Sequence, residues 1–225
     1  MCGRMTHPHA HPIVLWPLPL AIAVLFTTAA HLGLWLSIRD GYVESCVPML
    51  EGCTSISRAA RHGLGNHLFR LLVLPCALLV WLHWWLAGRW LGRGWGDVAW
   101  LGGIAAVALA VYATFLGTDG DTYRFLRRYG VVCFFGFGYL AQLRFLHGAA
   151  RAAPRSGLVR VMLALSATML LLGVANVAAT ALVGDARLQD RIENALEWQL
   201  GWLLAGWYLL HAALWRRLQV RIALA

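Results

Sequence analysis

The residues of this chain that could do chemistry lie in three polar stretches separated by long apolar runs. The longest, Cys46–Arg70, reads CVPMLEGCTSISRAARHGLGNHLFR and gathers Ser55, Ser57, Arg58, Arg61, His62, Asn66, His67 and Arg70. If it is helical from Ser57 onward, Arg58, Arg61 and His62 share a face at i, i+3, i+4 spacing. Ser55 and Ser57 stand where such a helix begins, so capping competes with nucleophilic catalysis and is the commoner use of that pattern. The second stretch, Gly117–Gly130, sets Asp119 and Asp121 around a glycine and follows them with Arg124, Arg127 and Arg128. Guanidinium forks of this kind grip phosphate bidentately, or form an unspecific girdle at lipid headgroups. Two carboxylates are too few for a calcium site, so the DGD reads as a solvated turn.

The third stretch, Gly184–Trp198, places Asp190, Asn194 and Glu197 on one helical face, with Glu193 four residues before Glu197. Carboxylates that close can couple, raising one toward the range of a general acid or base. Arg187 or Arg191 could equally neutralise them as ordinary ion pairs. Glu197 is the sharpest candidate, because it stands where the last apolar run begins, and an ionisable group inside a membrane is costly. His31, His83, Asn176 and His211 lie inside apolar runs, where hydrogen bonding between helices is the expected role. No HExxH, CxxC, GxSxG or HxxxxD pattern is present, so no metal site, cofactor site or standard hydrolase elbow is expected.

The elements that must hold these residues are apolar helices. The chain is 60% hydrophobic and 13% charged, with a mean hydropathy of +0.63, far from the soluble average of about 25% charged. A span needs roughly 20 mostly apolar residues. Six segments qualify: Ile13–Leu36, Leu68–Trp90, Val98–Leu116, Tyr129–His147, Leu158–Val183 and Ala195–Trp215. The expected fold is therefore all-α, a polytopic six-helix bundle with a long extracytoplasmic loop between its first two spans. Residues 1–12 form an N-terminal tail, 13–216 the transmembrane domain and 217–225 a C-terminal tail. The HPHAHP run with His7, His9 and His11 reads as polar tail, and the long first run as a retained helix and not a cleaved signal. The GxGxxA pattern at Gly136, Gly138 and Ala141 lies within a span and reads as helix packing.

All 19 basic residues are arginine, which suggests a GC-rich bacterial genome. The formal charge of +9 sits in short loops between spans, so anionic lipid is the expected partner and nucleic acid is not. With six spans, arginines divide ten against nine between the two sides, which decides no orientation. Of the ten acids only Asp97 falls on the side of the termini. Cys46 and Cys53 fall on the other side, where a disulfide would suit an oxidising compartment. Both termini are accordingly expected in the cytoplasm, the protein in a bacterial inner membrane, and Cys2, Cys76 and Cys133 unpaired. Many of the 12 tryptophans fall near span ends, as in an aromatic belt.

Three stretches carry a family resemblance. CTSISRAARHGLGNHLFR (Cys53–Arg70), RRYGVVCFF (Arg127–Phe135) and RIENALEW (Arg191–Trp198) resemble the signature segments of the Frag/DRAM/Sfk-type membrane proteins. That family includes the lipid-remodelling proteins of GPI anchors and the N-terminal part of the Cwh-type proteins. Arg127 or Arg128 stands where the family has a histidine, and Glu197–Trp198 replaces Glu–Tyr. The resemblance implies a lipid-facing site on the lumenal or periplasmic side and carries over Ser55, Ser57, Arg70, Gly130 and Glu197. The missing histidine departs from its acid–base pattern, and a bacterial chain has no GPI anchor to act on.

The expected function is binding of a membrane phospholipid or lipid anchor at the outer leaflet, with Arg58, Arg61, Arg70, Arg127 and Arg128 on the headgroup. Remodelling of its acyl chains, acyltransferase- or lipase-like, would use Glu197 with His62 or His67 as proton-handling partner. The alternative is a non-enzymatic scaffold or regulator of lipid organisation. A transporter ranks third, since no inverted repeat is apparent.

Overall fold

In a computed structural model, which describes residues 13–222, the chain is all-α apart from one short strand pair. Six long helices carry the fold: α1 (Pro17–Arg39), α4 (Gly63–Leu91), α5 (Gly96–Phe115), α6 (Asp121–Ala152), α7 (Gly157–Leu182) and α8 (Ala186–Arg217). Two single-turn helices, α2 (Pro48–Glu51) and α3 (Ile56–Ala59), lie in the α1–α4 connection. Five helices, α1, α4, α5, α6 and α7, are long and apolar enough to cross a membrane, the mark of an integral membrane protein. The sixth expected span lies within α8. That helix is less apolar because its first turns carry Arg187, Asp190, Arg191, Glu193 and Glu197, and Gln199 and His211 follow.

Neighbours pack in the order α1, α4, α5, α6, α7, α8 and back to α1, with α7 resting on α8 and touching α6 only lightly. The membrane helices are apolar around much of their circumference, so their outward faces carry Leu71, Leu78, Trp100, Val107, Leu171 and Val177. Small residues let backbones approach inside. A Cβ on Gly130 would come within 3.1 Å of Ala108 O, and one on Gly102 would overlap the Trp84 side chain. Of the GxGxxA residues, Ala141 is buried, whereas Gly136 faces open space.

Three helices begin earlier than apolarity alone predicts. α4 starts at Gly63, α6 at Asp121 and α8 at Ala186, so most of the arginines and carboxylates assigned to loops sit on polar extensions of the long helices. The first helix starts later, at Pro17, which fixes φ for a first helical turn and has no N–H to leave unpaired. Ile13–Val14 (β1) instead pairs antiparallel with Arg221–Ile222 (β2). The expected tail 1–12, with Cys2 and its three histidines, lies outside the described residues, as do 223–225.

Candidate functional site

Cys46 and Cys53 are joined by a disulfide across a Cα–Cα distance of 6.6 Å. The loop they close turns at Gly52 (φ +63°), where a Cβ would overlap the Arg191 carbonyl of α8. Its backbone oxygens then become acceptors for the polar half of α8. Arg191 Nε donates to Glu51 O at 2.9 Å, Asn194 Nδ2 to Gly52 O at 2.9 Å, Trp198 Nε1 to Thr54 O at 2.9 Å, and Gln199 Nε2 to Met49 O at 3.0 Å. These residues recur at helical spacing, so α8 holds the loop along one stripe.

Ser55 caps α3, its Oγ accepting from Arg58 N at 3.1 Å and lying 3.1 Å from Ser57 Oγ. Arg58 forks onto Asp190 at 2.8 and 3.0 Å. That pairing takes Arg58 out of the set of free headgroup cations. The same guanidinium, helped by Asn194, holds the Asp190 carboxyl below its ordinary value. Both side chains are about half exposed (44% and 49%), so water screens the pair to about 0.2–1 kcal/mol. Its contribution is full above the ordinary carboxylate range and is lost only as pH falls through the depressed folded value. Hydrogen-exchange protection at Ser57–Ala59, corrected for the intrinsic pH dependence of exchange, should therefore stay constant through neutral and mildly acid pH and fall only below that range, and Asp190→Asn should remove that fall.

Glu197 sits under α3, accepting from Ser57 N at 3.2 Å. Arg58 and Arg61 act on its charge, and Tyr112 lines the cavity beneath it. This cavity, of about 80 Å³, opens between α1, α4, α5, α6 and α8. Its walls are apolar, among them Phe26, Phe69, Leu109, Phe134 and Trp202, and its polar groups are Thr27, His31, Tyr112 and Glu197. His31 Nδ1 lies 2.7 Å from Thr27 O, which orients the ring, and the edges of Trp198 and Trp202 flank it.

The α5–α6 turn closes over the same end of the bundle. Asn66 Nδ2 donates to Ala60 O at 3.1 Å and Leu116 O at 3.0 Å, Arg70 reaches Leu116 O and Thr118, and Arg127 reaches Phe115 O and Thr118 O. A Cβ on Gly117 (φ +81°) would approach Arg61 O to 2.7 Å, so this turn also depends on glycine. Arg61, Arg70 and Arg127 are absent from the ion pairs among the described residues, which are Arg39–Asp40, Arg58–Asp190, Arg124–Asp121 and Arg144–Asp97. Arg61 Nε and Arg70 Nε are buried without a hydrogen-bond partner. Asp119 and Glu197 offset part of the charge.

The three polar stretches thus converge, but with altered roles. His62 and His67 are exposed, and His62 stacks on Tyr42 at 4.9 Å; neither lines the cavity with Glu197. The imidazole that does is His31, to which the sequence assigns only hydrogen bonding between helices, because it lies within the apolar part of α1 and in none of the three polar stretches. Arg128 is exposed on the outer side of α6, and Gly130 serves packing against α5. Glu193 faces Thr180 and Gln189 at 3.0 and 3.1 Å instead of coupling to Glu197. Among the described residues no three His, Cys, Asp or Glu side chains group as a metal site. No family model, curated protein or solved structure matches the chain.

Proposed function

We propose that this is a membrane lipid-binding protein, with α8 as a sixth span and its polar site at the outer leaflet. The observation that carries the reading is the stacking of two environments. Arginines without carboxylate partners, Arg61, Arg70 and Arg127, ring the end of the bundle, and an apolar cavity lies directly beneath. A phospholipid has that order of chemistry: a phosphate that takes guanidinium forks, then acyl chain that removes apolar wall from contact with water. The charge balance favours an anionic headgroup. The disulfide-closed loop suits an oxidising compartment, which with six spans supports a reading with both termini on the cytoplasmic side of a bacterial inner membrane.

A second reading, acyl-chain remodelling, is favoured by one observation: Glu197, His31 and Tyr112 are polar groups inside the apolar cavity, where a bound chain would meet them. The membership in the Frag/DRAM/Sfk-type family that the motifs suggest agrees with either reading.

The headgroup reading is tested by mass spectrometry of lipid that co-purifies with the chain in mild detergent. Each charge-assisted hydrogen bond contributes about 1.5–3 kcal/mol. Arg61→Gln with Arg127→Gln should therefore lower retained anionic phospholipid by about tenfold or more, whereas Arg128→Gln should leave it unchanged. Equal lipid retention in all three proteins would refute the assignment.

A further inference from the structure

The cavity beneath Glu197 is walled by α1, α4, α5, α6 and α8, and no residue of α7 lines it. α7 leans on α8 and meets α6 only lightly, with the Tyr139 hydroxyl donating to Ser166 O at 3.0 Å. From that contact toward the Glu197 end, the stripe of α7 that faces the bundle changes character. It is buried at Met162, Ser166 and Met169. Its continuation at helical spacing, Gly173 and Val177, is open. A Cβ on Gly173 would meet nothing within 4 Å, and Val177 is 70% exposed. On α6 the face that carries Tyr139 continues in steps of four through Phe135 and Val131 to Arg127. Phe135 and Val131 both line the cavity. The face of α6 that meets α7 at Tyr139 therefore walls the cavity further along, where the matching stripe of α7 is uncovered.

The order of side chains along that face identifies what the cleft takes. Arg127 stands at its head, outside every ion pair among the described residues, and two apolar turns follow. A guanidinium in this place suits a phosphate. The cleft below it opens among lipid-facing side chains such as Val132 and Val177, where acyl chains already lie and are as apolar as the walls. The seam between α1 and α8 offers no such gap, because Trp198 and Trp202 pack edge-on against His31 there.

Resting on the lipid-binding reading, we infer that the cleft between α6 and α7 is a lateral portal. Through it one acyl chain of an anionic phospholipid passes from the outer leaflet into the cavity. The full chain is reconstituted in vesicles of phosphatidylcholine and phosphatidylglycerol, and replacement of its bound lipid by deuterated phosphatidylglycerol is followed by mass spectrometry in mild detergent. Gly173→Trp fills the cleft without meeting another side chain, and should slow replacement by about tenfold or more, since a bulky ring obstructs the passage. Leu171→Trp, on the outward face of the same helix, should exchange as the wild type does. A second measurement needs no variant: phosphatidylglycerol with a mid-chain diazirine, retained by the wild type in detergent and irradiated, should mark Val131 and Phe135. Lipid retained but exchanged as fast in Gly173→Trp as in wild type, or adducts confined to His31 and Trp202, would overturn the portal and leave lipid binding standing. A wild-type chain that retains no phospholipid would overturn the lipid-binding reading itself, and the portal with it.

Discussion

Gly52→Ala is expected to cost about 3 kcal/mol or more of stability and to detach the disulfide loop from α8. Two effects act together at this position. A non-glycine residue in the left-handed region is strained by about 1–3 kcal/mol, and overpacking adds about 1–3 kcal/mol where the neighbour cannot yield. Here the neighbour is the Arg191 carbonyl, backbone in the middle of a helical stripe, so it cannot swing aside as a side-chain tip would. Gly41 separates the two effects, because it shares the positive φ (+77°) but has nothing within 4 Å. Gly41→Ala should cost only the strain. Thermal unfolding in detergent should therefore rank wild type, Gly41→Ala and Gly52→Ala in falling order. Equal melting of the two variants would show that the loop does not press on α8. The loss should also reach the site, since the same loop carries Ser57 N to Glu197.

That coupling explains which parts of the molecule are legible in the sequence. Five membrane helices follow from apolar runs because hydropathy tests a property each segment carries alone. Helix ends were harder. Asp121–Arg128 and Ala186–Asn194 are polar enough to read as loops, yet they continue α6 and α8 as helix. Asp185 caps α8, accepting from Arg187 N at 2.8 Å, and contact with the Cys46–Ala59 loop holds its polar turns in place. Arg58 shows the same limit at the site. Nothing within Cys46–Arg70 reveals that Asp190, 132 residues later, occupies its guanidinium. The face formed by Asp190, Asn194 and Glu197 was legible, because helical spacing alone aligns them, and all three do address the loop. His31 was not. Its significance comes from which helix α8 packs against, a property of the bundle and of no local pattern.

Glu197→Gln distinguishes the lipid-remodelling reading from simple lipid binding, and the largest effect on chemistry is expected there. Glutamine keeps the volume and the carbonyl oxygen that accepts from Ser57 N at 3.2 Å, but it cannot take up or release a proton. If the cavity does acyl chemistry, a carboxylate within it is the group able to move that proton, and general acid–base groups contribute about 10²–10⁴-fold to rate. Acyl-chain turnover on co-purified or added phospholipid should then fall by that factor in Glu197→Gln. Retained lipid should be unchanged, because the headgroup contacts assigned to Arg61 and Arg127 are untouched. His31→Gln should lower turnover as well, whereas His62→Gln, exposed on Tyr42, should not. A scaffold gives the opposite pattern: no acyl-chain difference between wild type and Glu197→Gln, and a lower melting temperature as the only change, since Arg58 and Arg61 would lose the charge they face. Measuring turnover, retention and melting on the same three variants separates the readings, because catalysis, headgroup binding and packing each move a different one of the three.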